Sequence, residues 1–209
     1  LFLYRISGNA LQQLTNDLYD DLHPQFVGRS ISQVVFTSNR LNDTLKVDKG
    51  SYKSIRDSFS LFLHDGNPRA ETVNRLIDSL GTISHPVASN DNDFYFLSDE
   101  KGIRNLYKYS ISDSSVIQLT NFSVDLLDFD LNVASGSLAY IAHSNTRELI
   151  GYRTKLDLNK RLTLPATQRS QAMNLPLSSR FSGDLSRLEV TSPTILKPVS
   201  KEPEKEKLS

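Results

Sequence analysis

Short apolar runs separated by polar turns recur along most of the chain and predict β-strands. Val, Ile, Phe, Tyr and Leu fill the runs, while Asn, Asp, Ser and Gly cluster between them. The runs at 94–97 and 106–109 flank a turn that contains Gly102, which is the pattern of a β-hairpin. No amphipathic stretch of more than two helical turns precedes residue 165. We therefore predict an all-β fold.

The runs belong to a repeat. The tetrapeptide Gln-Leu-Thr-Asn at 13–16 returns 105 residues later at 118–121. Comparable strands begin at residues 1, 61, 106 and 150. They are spaced by 60, 45 and 44 residues, and the polar segment 41–58, read as an inserted surface loop, explains the longer first interval. A unit of about 45 residues with four short strands has the size of one β-propeller blade.

The order of the motifs resembles the TolB-type propeller repeat. A Leu-Tyr strand is followed by Leu-Thr-Asn, an Asp, a Pro and an apolar strand that closes on Ser-Asn-Arg. Residues 3–40 carry this order best, the hairpin 94–109 carries its linking turn, and blade-level similarity covers residues 1–164. The chain departs from the family at the turn between the first two strands of a blade, where the family favours Ser-Pro-Asp-Gly. Its own residues there, such as Val-Gly-Arg-Ser at 27–30, still favour a turn.

The resemblance implies a map of the blades. In the family the inner strand of each blade begins near the Pro, here Pro24 and Pro86, and the Leu-Thr strand lies outermost. The chain then starts with the outer half of a split blade at 1–16. Full four-stranded blades follow at 21–78, 83–121 and 125–164. We predict a β-propeller with three full blades plus a split blade, either part of a larger propeller or a small closed one.

Three and a half blades cannot close a ring, since about four are the minimum. Residues 180–192 resemble the inner hairpin 26–38 and could complete the split blade. The alternatives are further blades upstream, because the chain begins inside an apolar run like a piece of a longer polypeptide, or closure with another chain. Residues 165–192 are weakly patterned, and residues 193–209, rich in Pro, Lys, Glu and Ser, are predicted to be a disordered tail or linker.

Composition narrows the classes of partner. Of 209 residues, 24 are Lys or Arg and 24 are Asp or Glu, so the net charge is zero. This balance gives no electrostatic reason to expect binding to nucleic acid or to an anionic membrane surface. No apolar run reaches the roughly 20 residues of a spanning helix. Cysteine is absent, which excludes disulfides and thiolate chemistry.

The sequence offers no catalytic, cofactor or metal motif. Gly-x-Ser-x-Gly, a phosphate-binding Gly-x-x-x-x-Gly-Lys-Ser/Thr loop and His-Glu-x-x-His are all missing, and the four histidines do not stand at metal-ligand spacing. Acidic residues cluster at 17–21 and 125–130, where they either cap turns in contact with solvent or supply oxygen ligands for calcium. We expect no enzyme activity and no bound cofactor.

Candidate partner-binding residues lie in equivalent loops of the repeat. Two aromatic residues follow Leu-Thr-Asn, carboxylates accompany them, and two histidines each precede a Pro at the entry to an inner strand. The histidines either have a structural role or form a polar rim at the mouth of the channel. The candidates are Tyr19, Asp20, His23, His85, Phe122 and Asp125.

The resemblance implies a non-catalytic scaffold that contacts other proteins in the periplasm or cell envelope of a bacterium. Two alternatives stay open. One is the propeller domain of a larger prolyl-oligopeptidase-type serine hydrolase, where it gates the active site; a downstream Gly-x-Ser-x-Gly would identify it. The other is a propeller with a sugar or peptide ligand in its channel.

Overall fold

The computed structural model describes residues 1–28, 33–45, 55–78, 80–144, 146–162, 164–165 and 167–173. Within these ranges the fold is almost entirely β. The strands are β1 (Phe2–Arg5), β2 (Ala10–Gln13), β3 (Asp21–Phe26), β4 (Val34–Arg40), β5 (Ile55–His64), β6 (Asn74–Ile77), β7 (Ile83–Ala88), β8 (Asp93–Ser98), β9 (Asn105–Ser110), β10 (Ser115–Gln118), β11 (Asp125–Asn132), β12 (Ser137–Ser144) and β13 (Arg147–Arg153). A 3-10 turn spans Ile6–Gly8 and a short helix, α1, spans Gln168–Met173.

The strands form antiparallel sheets in chain order. β1 pairs with β2, the next two sheets have the orders β3-β4-β5-β6 and β7-β8-β9-β10, and the last has the order β11-β12-β13. Within each sheet the strands lie in chain order and pair antiparallel with their neighbours, which is the meander expected of a blade. The all-β prediction is confirmed. The predicted split blade corresponds to the two-stranded β1-β2 sheet, and two four-stranded sheets follow it.

The third predicted blade differs from the sequence-based expectation of a strand near Leu162. After β13 the backbone turns through Lys155, whose φ is +57°. The Leu156 amide then donates to the Gly136 carbonyl at 2.7 Å, and the Leu162 amide donates to the carbonyl of Gln118, the last residue of β10, at 3.2 Å. Leu156 is thus held at the β11–β12 turn of its own sheet and Leu162 at the edge of the neighbouring sheet, and the described part of this segment adds no fourth strand to β11-β12-β13.

The central strand β8 shows why its sequence is apolar at four successive positions. Phe94 and Phe96 pack into a cluster with residues of β4–β6, whereas Tyr95 and Leu97 pack into a second cluster with residues of β11 and β12. Side chains alternate between the two faces of a strand, so a sheet covered on both faces needs apolar residues at every position. Each fully buried large apolar side chain contributes about 1.5–3 kcal/mol to stability.

The repeated tetrapeptide makes the same hydrogen bonds in both copies. Gln13 Nε2 donates to the Thr15 carbonyl at 3.1 Å, and Gln118 Nε2 donates to the Thr120 carbonyl at 2.7 Å. The Thr120 hydroxyl also accepts the amide of Leu106 at 2.9 Å, across the outer hairpin. The Gln and Thr recur because they close the outer edge of a blade at a point where the backbone ladder ends.

One sequence prediction lies partly within the described residues, and two lie outside them. The segment 41–58 was expected to be a surface loop, but β5 already begins at Ile55, because Ile55 pairs with Arg40 of β4. The predicted hairpin at 180–192 and the predicted tail at 193–209 lie outside the described residues. Among the helices of the described part, none is long and apolar enough to cross a membrane.

Candidate partner-binding rim

The loops that lead into inner strands are fixed by side chains of the sheets. The amide of Asp20 donates to Asn39 Oδ1 at 2.9 Å, and Asn39 Nδ2 donates back to Asp20 Oδ2 at 3.2 Å. In the equivalent loop before β11, the amide of Phe122 donates to Asn105 Oδ1 at 2.7 Å. We call residues 17–21 and 121–125 the rim. Its backbone is held at both places before any partner binds.

A buried arginine holds the first rim loop. The Arg40 side chain is inaccessible to solvent, and its Nη2 lies 2.7 Å from Asp21 Oδ1 and 3.1 Å from Asp17 Oδ2. The two carboxylates are almost fully buried as well. Burial raises the pKa of Asp17, and the nearby Arg40 charge offsets this only in part.

The acidic cluster 17–21 agrees in part with the interpretation that its carboxylates cap turns. Asp17 Oδ1 accepts the amide of Tyr19 at 3.1 Å, but the carboxylates of Asp17 and Asp21 are buried against Arg40 instead of being solvated. Among the described residues no group of three or more metal-ligating side chains could hold an ion. Sequence reasoning noted Arg40 only as the end of Ser-Asn-Arg. Little in the sequence indicates its burial, because Thr37, Ser38 and Asn39 separate it from the apolar residues of β4, and an arginine is seldom buried unless it is paired.

The rim aromatics are half-buried rather than free. The Arg40 guanidinium lies 5.2 Å from the centre of the Tyr19 ring. Phe122 packs on Tyr140 with ring centroids 4.6 Å apart, and the guanidinium of Arg153 lies 4.6 Å from the Phe122 ring. Such cation–π contacts fix the position of an aromatic ring. Each ring is therefore held in a defined orientation, and part of its surface remains accessible to solvent.

The carboxylate of Asp125 links the second rim loop to the rest of the structure. Asp125 Oδ1 accepts the amide of Arg104 at 2.7 Å, and its Oδ2 lies 3.3 Å from Nη1 of Arg169 in α1. The second contact is solvent-exposed and contributes little to stability. Asp20 of the first rim loop is exposed to solvent, whereas Asp125 is only partly exposed.

His23 and His85 occupy the same distorted position of two inner strands. Each has φ +52°, in the left-handed region. In β3 the pairing with β4 shifts between Leu22 and Gln25, and the pairing of β7 with β8 shifts at the equivalent place. The proline that follows each histidine has no N–H to donate, so the ladder is interrupted there by a β-bulge. β11 has the same irregularity just before Asp128.

The bulges bring the two imidazoles together. The ring centroids of His23 and His85 are 4.1 Å apart, with 37° between the ring planes. His85 Nε2 lies 4.0 Å from Asp128 Oδ1, and His23 Nδ1 lies 3.4 Å from the Thr37 hydroxyl. The two histidines therefore form a polar group with a neighbouring carboxylate, while the polar rim at the mouth of a channel stays a prediction. The third member of that group, Asp128, was seen in the sequence only as part of an acidic cluster.

Burial lowers the pKa of both histidines. For His23 the neighbouring His85 lowers the pKa further, while the Asp128 carboxylate opposes this. For His85 the Asp128 carboxylate again acts in the opposite direction to burial, and Arg104 adds to the lowering. The Nδ1 atom of His85 is buried and has no hydrogen-bond partner among the described residues. Near neutral pH both rings are accordingly uncharged.

Comparison with known proteins identifies the fold. No family model matches the chain, and no curated protein matches its sequence. The structure of TolB from Acinetobacter baumannii is similar with a TM-score of 0.53 and 17% identity, over 77% of this chain and 36% of that one. A structure described as TolB from Agrobacterium tumefaciens gives a TM-score of 0.49 and 12% identity, over 68% of this chain and 50% of that one.

A third solved structure, a puromycin-hydrolysing peptidase of Mycobacterium tuberculosis, gives a TM-score of 0.35 and 10% identity, over 70% of this chain and 32% of that one. The chain thus spans half the length of these structures or less. The likeness to the Acinetobacter TolB and the run of antiparallel sheets together show a TolB-like β-propeller fold.

Proposed function

We propose that this chain is a non-catalytic β-propeller scaffold that binds a protein partner through the rim. The observation that carries the proposal is the fixation of both rim loops by buried side chains. Asn39 holds the first loop and Asn105 holds the second, through the amides of Asp20 and Phe122. Loops that are ordered in advance lose little conformational entropy on binding, so more of the contact energy remains as affinity.

The chemistry of the rim indicates the kind of partner. Tyr19 and Phe122 each present part of an aromatic ring, and Asp20 adds an exposed carboxylate. Aromatic rings are frequent anchors of protein interfaces, and a charge at their border selects the orientation of the partner. A partner segment with an apolar anchor next to a Lys or Arg fits this combination.

The proposed location is the cell envelope of a bacterium, in the periplasm. It is supported by the resemblance of residues 1–164 to the TolB-type repeat and by the TolB-like fold. Fractionation of cells that express the protein at its natural level would test this proposal. Recovery with periplasmic markers supports it, and recovery with cytosolic markers alone overturns it.

Site-specific photo-crosslinking tests the rim. A photoreactive phenylalanine analogue is placed at residue 19 or 122, and a matched control carries it at Ile111. Ile111 is an exposed apolar residue after β9, in the turn at the opposite end of its sheet. We expect the same adduct from positions 19 and 122, none from position 111, and loss of the adduct with Asp20→Lys. Equal adducts from all three positions, or none from the rim, overturn the proposal.

Absence of catalysis is tested separately. The purified chain is incubated with fluorogenic peptides and with nitrophenyl esters. We expect no turnover above the catalyst-free rate. Turnover that disappears on replacement of a single Ser or His of the chain contradicts a non-catalytic role.

A further inference from the structure

We propose that His23 and His85 form an acid-sensitive joint between the inner strands of the first two four-stranded sheets. When both imidazoles carry a proton, their repulsion loosens the contact between β3 and β7. The inference does not depend on the identity of a partner, and it concerns the strands that the rim loops lead into.

The geometry couples the two rings directly. They are adjacent across the β3–β7 contact, with centroids 4.1 Å apart. Both stand on a β-bulge with the same backbone conformation, at φ +52°. The bulges therefore place both side chains at the β3–β7 contact, where the two imidazoles lie against each other.

The surrounding charges can balance one proton but not two. Asp128 of β11 is the carboxylate that faces the pair, 4.0 Å from His85 Nε2. Arg104, before β9, adds a positive charge near His85, and Thr37 of β4, beside His23, is uncharged. Protonation of both rings thus places two imidazolium groups and a guanidinium against a single carboxylate, in a site that is partly withdrawn from water.

The strand β3 is the one that we expect to move. Most of its residues are exposed, whereas β7 is anchored by the buried Ile83 and Pro86. Segments with few buried contacts open at lower free energy than the core. The first effect of acid is therefore a loss of order in β3, with the β7–β10 sheet intact.

Titration of the imidazoles by NMR tests the coupling in the full chain. The variants use His→Asn, because Asn tolerates the left-handed backbone that both positions need. In His85→Asn, we expect the titration midpoint of His23 to rise by about one pH unit, since interacting groups share macroscopic titration steps. His143→Asn, at an exposed position of β12, is the matched control and leaves the His23 midpoint unchanged. A His23 midpoint that is the same with and without His85 overturns the proposal.

Amide hydrogen exchange tests the structural consequence. After correction for the intrinsic pH dependence of exchange, protection of the β3 amides falls several-fold between pH 7.5 and pH 5 in the parent protein, and that of β8 does not. His23→Asn/His85→Asn abolishes this difference, while His143→Asn retains it. The buried His64 is present in all variants, so its own response cancels in the comparison. If the double variant loses β3 protection as the parent does, the joint does not exist.

Discussion

The Arg40 guanidinium lies 2.7 Å from the Asp21 carboxylate, and both side chains are almost completely withdrawn from solvent. Arg40 ends β4 and Asp21 begins β3, so the ion pair closes the first four-stranded sheet at the end where the rim loop enters it. Asp17 of the same loop reaches the same guanidinium at 3.1 Å. One buried charge therefore joins the loop after the split blade to the first full sheet.

Removing that charge destabilises the fold. Arg40→Leu leaves two carboxylates without a counterion, and breaking a buried ion pair in this way costs about 3–5 kcal/mol. Urea unfolding at pH 7.5 measures the loss. Arg147→Leu, at an exposed position of the last described strand, is the matched control and stays within about 0.5 kcal/mol of the parent.

A triple variant distinguishes charge from packing. Asp17→Asn and Asp21→Asn added to Arg40→Leu recover a large part of the lost stability, because the uncompensated charges are gone. If the triple variant is no more stable than Arg40→Leu, the arginine acts through its packing against Phe36 and Phe62, whose rings lie 5.7 Å and 5.5 Å from its guanidinium carbon.

Thr120→Val tests the repeated Gln-Leu-Thr motif. The Thr120 hydroxyl accepts the amide of Leu106 and donates to Asn105 Oδ1, both at 2.9 Å and all buried. Valine keeps the shape but leaves the buried Leu106 amide without its partner, at about 1–3 kcal/mol, and removes one of the two hydrogen bonds that Asn105 Oδ1 accepts. We expect a lower free energy of unfolding, while Thr146→Val at an exposed turn changes it little. An unchanged urea midpoint for Thr120→Val contradicts a structural role of the motif.

Stability falls in acid through His64. This ring is fully buried; its Nδ1 accepts the Gly66 amide at 2.8 Å, and burial lowers its pKa despite the nearby Asp65 carboxylate. The unfolded state then binds more protons below the ordinary value of 6.5. The stability that the neutral His64 ring contributes is complete above that pH. It is lost as the pH falls from there through the lowered pKa of the folded state.

His64→Asn separates this contribution from the others. Asn can still accept from the Gly66 amide, but it does not titrate. We expect the urea midpoint of the variant to fall less between pH 7.5 and pH 5 than that of the parent. An identical pH dependence in parent and variant would show that His64 does not take up a proton on unfolding.

The variant Phe96→Ala tests the packing between the β7–β10 sheet and the β3–β6 sheet. The Phe96 side chain is fully buried, and Phe96→Ala costs about 3–5 kcal/mol because it leaves a cavity between two sheets that cannot collapse. Ile150→Ala on β13, where the side chain is 88% exposed, costs less than about 0.5 kcal/mol. Thermal or urea unfolding of both variants checks the contrast, and similar losses would contradict the assigned core.

Most of the strands and the repeat could be predicted from the sequence, but the start of β5 and the course of the chain after β13 could not. Apolar alternation and turn residues are local signals, so β8 and the hairpin to β9 could be predicted from a few neighbouring residues. The Gln-Leu-Thr repeat was equally readable, because each copy makes its hydrogen bonds within one outer hairpin. His23 and His85 were recognised as equivalent because each precedes a Pro at the same place in the repeat.

The contacts between these residues are visible only in the folded structure. The imidazole contact between His23 and His85 depends on how one sheet packs beside the next and on a bulge in each strand. Arg40 is buried because a loop some twenty residues earlier folds over it. The described part of the segment after β13 adds no strand to its own sheet, because Leu156 bonds to the β11–β12 turn and Leu162 bonds to the last residue of β10. Each of these contacts joins residues far apart in the chain, and local pattern carries no information about the distance between them.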